Sequence, residues 1–218
     1  MNTVLEFFKA GGFVMYPLLV LSLAAVVIIF ERLFAFRQMG STAPGLTDQV
    51  LALVRQGKFE DARTLADSRP GPVAASISTI LENRILPEAE LERLVEEAGQ
   101  PFFQGLERFL PVLDTTTTIS PLLGLLGTIV GMIGTFNAIA SQQGRGNTDS
   151  VLSGVGEALY ATATGLCIAV ICFVAYNYYA SRLRYVISET EQAATRVLNG
   201  IAGHSATDMK AEGMKNAV

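Results

Sequence analysis

Glu157 stands at the head of a run, Ala158 to Ser181, that carries no charge. A carboxylate at membrane depth costs at least ~2.5–3.5 kcal/mol at a helix centre, so it is kept only where it is paired, protonated or reached by water. The chemistry open to it is that of a proton or cation relay. Hydroxyls accompany it: Thr162 and Thr164 follow on the same segment, and Thr128 and Thr135 lie on the apolar segment before it. Thr128 and Thr135 are seven apart and share a helix face. A helical threonine can instead bond back to the carbonyl four residues earlier. One such hydroxyl therefore says little, but the set beside a carboxylate points to an ion path. On an ideal helix Thr162 lies about 140° round from Glu157, whereas Thr164 shares its face. The sequence offers no nucleophile–base pair, phosphate loop or metal cluster, so neither an enzyme nor a cofactor is expected. The single histidine, His204, stands in a polar stretch without neighbouring ligands.

These residues need a membrane to give them meaning. The chain of 218 residues is 50% hydrophobic and 17% charged, against about 25% charged in a soluble domain. The low charge is concentrated in three blocks, each long enough for the ~20 apolar residues of a spanning helix. They are Phe13–Phe34, Ile119–Ala140 and Val151–Tyr179. The fold class predicted is all-α, with three transmembrane helices extended into a helical cytoplasmic domain. The first block ends in Glu31-Arg32 and Arg37 rather than in a small-residue cleavage site, which reads as a retained anchor. Cys167 and Cys172, five apart on one helix, do not face each other and read as small core residues. The net charge of −4 leaves no basic field for nucleic acid.

Positive charge near the span ends sets orientation. Arg32, Arg37, Arg108, Arg182 and Arg184 gather on one side, against Lys9 and Arg145 on the other. The expected division is 1–36, a periplasmic N-terminus and first span; 37–112, a cytoplasmic helical loop; 113–182, the second and third spans with a short periplasmic turn over Ser141–Ser150; and 183–218, a cytoplasmic helix and flexible tail. Within the loop, helices are predicted over Leu46–Gln56 and Lys58–Asp67, broken at Gly57, then Val73–Arg84 and Glu88–Gly99, with a further helix from Phe102 into the second span. Pro101, Pro111 and Pro121 are the expected kinks.

Gly124, Gly127, Gly131 and Gly134 recur at spacing three, four and three, which puts all four on one helix face. Ala161, Gly165 and Ala169 form a matching row on the third span. Small residues let membrane helices approach closely where no hydrophobic force drives them together. The groove suits packing within one chain or between copies around a pore. By helical rise, Thr128 and Thr162 come level at roughly 17–18 Å below the periplasmic end, with Glu157 roughly 9 Å in.

At these residues the chain resembles the MotA/TolQ/ExbB proton-channel family. Pro121, Gly124, Leu125, Gly127, Thr128, Gly131 and Phe136 match its second-span pattern, with Ile129 where valine is usual. Gly154, Glu157, Ala158, Leu159, Ala161, Thr162, Gly165 and Leu166 match its third-span pattern, followed by Tyr176-Asn177. Ala169-Val170-Ile171 departs from it, since the family commonly has a proline there. Three spans resemble the ExbB/TolQ branch, not the four-span flagellar stators. The resemblance implies a homopentameric ring in the bacterial inner membrane, and the charge bias sets its N-terminus periplasmic and its C-terminus cytoplasmic. It further implies a single-span ExbD/TolR-like partner bearing a membrane Asp, and a TonB- or TolA-like protein that receives the motion. It nominates Thr128, Glu157 and Thr162 as the polar path. The other reading is a homo-oligomeric scaffold that assembles envelope proteins without conducting ions.

Overall fold

A computed structural model describes residues 12–39, 45–141 and 148–215. Among them the chain is all-helical: α1 Met15–Met39, α2 Leu46–Arg55, α3 Phe59–Asp67, α4 Pro72–Glu82, α5 Glu88–Glu107, α6 Leu110–Ser141 and α7 Thr148–Lys215. Three of these, α1, α6 and α7, contain stretches long and apolar enough to cross a membrane. The residues 142–147 of the predicted turn, and with them Arg145, lie outside the described residues, as does Lys9.

The helix ends follow local chemistry. Gly57 takes φ +73 between α2 and α3, a left-handed turn that glycine enters without steric cost. Pro72 opens α4, where its missing N–H would be unpaired in any case. The expected break at Pro101 does not occur. Helix α5 runs through it to Glu107, pinned on either side by buried Leu91 and Leu106, and the chain breaks instead at Arg108-Phe109. Helix α6 starts at Leu110, so Pro111 falls in its first turn, while Pro121 lies inside it.

The largest departure concerns the C-terminus. In place of a flexible tail, α7 continues as one helix of 68 residues to Lys215. Nothing in its sequence stops it: no proline follows Glu157, and Gly200 and Gly203 cost only about 1 kcal/mol each relative to alanine. His204 therefore sits on a helix, edge-on to the Phe59 ring with centroids 5.5 Å apart. The cysteines divide: Cys172 is buried, but Cys167 is exposed and not the core residue expected.

The chain forms two compact units. Of the described residues, the first takes those up to Arg32 and those from Phe109 to Ala180, and the second takes those from Leu33 to Arg108 and those from Ser181 onward. In the first, α1 and α7 run parallel. Gly12, just ahead of α1, lies against Glu157, and towards the other end the Tyr179 hydroxyl donates to the Ile29 carbonyl at 2.8 Å. Helix α6 returns antiparallel to α7. Val20, Val27, Ile129, Ile133, Val170 and Val174 are exposed on these helices, the apolar exterior that hydrocarbon accepts.

In the second unit, buried residues recur every three or four positions, as an amphipathic helix requires. Leu46, Val50 and Val54 of α2 pack with Ala62 and Ala66 of α3, Ile77 and Ile80 of α4, and Ala193 and Val197 of α7. Arg63–Glu82 at 3.2 Å and Arg84–Glu60 at 3.7 Å tie its surface; exposed pairs of this kind contribute about 0–1 kcal/mol each.

Candidate functional site

The α6–α7 seam is built on the absence of side chains. A Cβ added at Gly124 would lie 2.9 Å from Thr162 Cα, one at Gly127 would lie 2.5 Å from Ala161 Cβ, and one at Gly131 would lie 3.0 Å from Ala158 Cβ. From the α7 side, a Cβ at Gly165 would run into the Ser120 carbonyl oxygen and stand 3.2 Å from Gly124 Cα. Gly134 is different: nothing comes within 4 Å of its Cβ position. Three of the four glycines in the sequence row thus face Ala158, Ala161, Thr162 and Gly165 of α7 in the same chain, and the fourth opens onto space.

This close approach determines what the hydroxyls can do. Thr162 donates to the Gly124 carbonyl at 2.8 Å, a bond across the seam. Thr128 donates to Leu125 O at 2.6 Å and Thr164 to Tyr160 O at 2.8 Å, both within their own helices. Thr135, only 5% exposed, donates to Gly131 O at 2.9 Å. Its Oγ1 fills the place where a side chain on Gly154 would stand. The levelling of Thr128 with Thr162 does not hold. Thr162 lies opposite Gly124, four residues and roughly 6 Å along α6 from Thr128. Part of the offset arises because α7 begins at Thr148 rather than Val151.

Interhelical hydrogen bonds in membrane proteins average about 0.6 kcal/mol and reach about 1.7 kcal/mol. Thr162→Val keeps the shape and removes the donor, so it is expected to destabilise the α6–α7 pair within that range, and Thr162→Ser is expected to restore most of the loss. Thermal unfolding of the detergent-solubilised protein measures both. A serine variant as weak as the valine variant would mean that the methyl group, not the bond, matters.

Glu157 does not join Thr162. Its carboxylate lies on the backbone of Gly12, in the space a Gly12 side chain would need. Gly12 has φ +70 and accepts Met15 N–H at 3.1 Å as the chain turns into α1. The position therefore requires glycine twice, for its dihedral and for its neighbour. The carboxylate sits near the positive end of a 25-residue helix, an interaction worth typically about 0.3–1 kcal/mol to an anion. Among the described residues it makes no ion pair. The structure thus brings Glu157 to α1 and Thr162 to α6, and leaves Thr128 and Thr164 half-buried and bonded within their own helices.

Sequence reasoning missed Gly12 and Ser120. The Gly11-Gly12 pair ahead of an apolar run was a turn signal, but nothing local links it to a glutamate so far along the chain. Ser120 is fully buried and its Oγ has no hydrogen-bond partner among the described residues. At the other end of the spans Arg32 is 3% exposed. It is ion-paired with Glu31 and lies 5.2 Å over the Phe109 ring. That pairing lets a cation stay buried.

Comparison of the sequence with known proteins finds relatives. The model of the MotA/TolQ/ExbB proton channel family matches residues 71–192, which include the glycine seam, Thr128, Thr162 and Glu157. The "Putative biopolymer transport protein ExbB-like 3" of Synechocystis is 33% identical over 79% of this chain and 82% of its own length. The "Biopolymer transport protein exbB1" of Vibrio cholerae is 30% identical over 73% of this chain and 71% of its own. The "Tol-Pal system protein TolQ" of Pseudomonas aeruginosa is 31% identical over 70% of this chain and 60% of its own.

Proposed function

Because this chain belongs to the MotA/TolQ/ExbB proton channel family, an integral membrane protein family, we propose that it is the multi-span subunit of an ion-driven motor in the bacterial inner membrane. It forms a homo-oligomeric ring, a pentamer by resemblance, with its N-terminus periplasmic and its C-terminus cytoplasmic. It conducts protons together with a single-span ExbD/TolR-like partner that carries a membrane carboxylate. It couples that flow to envelope work of the TonB or Tol-Pal kind. The observation that carries the reading is Glu157: a carboxylate at the head of the uncharged run of α7, lying against Gly12 just ahead of α1, with no ion partner among the described residues.

The energetics suit repeated small steps. One charge crossing 100 mV releases about 2.3 kcal/mol, enough to bias one conformational equilibrium by roughly fifty-fold and far too little to unfold a domain. Thr128, Thr162 and Thr164 are the proposed companions of Glu157 along the path.

A scaffold that assembles envelope proteins without passing ions is the second reading. It is favoured by the threonine bonds, since the one proton of each hydroxyl is already donated to a carbonyl. Ion flux in proteoliposomes separates the two. The motor reading expects flux only when this chain and its single-span partner are both present, driven by a pH gradient or, if the ion is sodium, by a Na⁺ gradient. Absence of flux under both gradients, with the complex shown to be assembled, would leave the scaffold.

A further inference from the structure

The second unit contains an open surface pocket away from the residues of the candidate ion path. It has a volume of about 530 Å³, within the ~300–1,000 Å³ of small-molecule sites. It lies between the last turn of α2 and the far part of α7. Four of its lining residues, Arg196, Asn199, Gly200 and Gly203, recur at i, i+3, i+4 and i+7 and so form one face of α7. Arg55 and Leu51 line it from α2, and His204 belongs to the lining as well.

The chemistry of the lining points one way. The chain as a whole carries net charge −4, yet among the described residues two arginines and no acidic residue line this pocket. Arg55 makes no ion pair among the described residues. Arg196 is bonded to Asp48 at 2.5 Å, with both side chains more than half exposed. An exposed pair of that kind contributes only about 0–1 kcal/mol, so a doubly charged ligand can take the guanidinium from Asp48 at little cost. The guanidinium fork matches phosphate oxygens two at a time. Asn199 adds an amide donor. The floor is glycine, and nothing lies within 4 Å of a Cβ built on Gly203. His204 is fixed in place by the Phe59 ring and by the turn at Gly57, whose Cβ position is 3.4 Å from its Nε2.

We propose that this pocket binds a phosphorylated small anion, held by Arg55 and Arg196 with Asn199 beside them. The phosphate can come from a soluble metabolite or from a lipid headgroup, the chemistry being shared. The test is calorimetric titration of the purified, assembled full-length chain with inorganic pyrophosphate at low salt. Saturable binding is expected. Arg55→Ala should weaken it at least tenfold. Asp48→Asn should tighten it several-fold by removing the competitor for Arg196. Gly203→Leu, which keeps every charge and has room for its side chain, should abolish it in a protein that still folds. No saturation, or equal binding by wild type, Arg55→Ala and Gly203→Leu, overturns the proposal. Mass spectrometry of co-purified lipids then identifies the source. An anionic phospholipid retained by wild type and lost from Gly203→Leu assigns the site to a headgroup; equal retention alongside pyrophosphate binding assigns it to a soluble ligand.

Discussion

Glu157→Gln is expected to reduce partner-dependent ion flux at least 100-fold while the protein still assembles. The two effects separate because glutamine keeps the length and shape that fill the space over Gly12. What it loses is the charge and the ability to exchange a proton, and a positioned proton-transfer group contributes typically about 10²–10⁴-fold to a rate. The structural loss is only the interaction with the end of α1, about 0.3–1 kcal/mol. Flux in proteoliposomes, normalised to the amount of assembled complex, gives the result. Glu157→Asp, whose carboxylate is one methylene shorter, should fall between the two because it draws back from Gly12. Unchanged flux in the glutamine variant would make Glu157 a structural residue and remove the main support for ion conduction.

Gly165→Ala is expected to be the most damaging methyl group that can be added to the spans. The new Cβ would meet the Ser120 carbonyl and the Gly124 backbone, and backbone atoms cannot rotate aside as a side chain can. Overpacking of this sort costs typically about 1–3 kcal/mol, against a gain of up to about 1 kcal/mol in helix propensity. Lower thermal stability and poor accumulation in the membrane are the expected readouts. Gly134→Ala is the control. Its Cβ position has nothing within 4 Å, so within one chain the change should be neutral or slightly stabilising. Equal damage from both substitutions would contradict the packing of the α6–α7 seam. If Gly134→Ala spares the fold but weakens the oligomer, that glycine faces a neighbouring copy.

Much of the fold could be read from the sequence because its strongest signals are local. Three uncharged runs, the 3-4-3 glycine spacing and the Gly57 break each announce themselves within a few turns of helix. The misreadings arose where the outcome depends on distant partners or on the sum of weak preferences. Pro101 looked like a helix end, but the turns around it are held by buried Leu91 and Leu106. The stretch after Gly203 lacks apolar periodicity, yet no residue there breaks the helix that α7 has already nucleated, and extending a helix is far easier than starting one. The site residues divide in the same way. Periodicity alone separated Glu157 from Thr162 by about 140°, and in the structure they turn to different helices. No spacing rule could have joined Glu157 to Gly12, or Thr162 to the carbonyl of Gly124, because both contacts depend on how the helices pack.

The parallel pairing of α1 with α7 also imposes an order on biogenesis. The hydrogen bond from Tyr179 to Ile29 joins residues 150 apart. At about 5–20 residues per second of synthesis, α1 waits roughly 8–30 s in the bilayer before the helix that will cover it exists. The α6–α7 seam, by contrast, joins neighbours in the chain and can close as soon as α7 emerges. The nascent protein thus carries a lone first helix, then a glycine-locked hairpin, and only when the two meet does the carboxylate of Glu157 reach Gly12. A ribosome stalled before residue 157 would leave an inserted anchor whose Gly12 turn lacks the carboxylate that covers it.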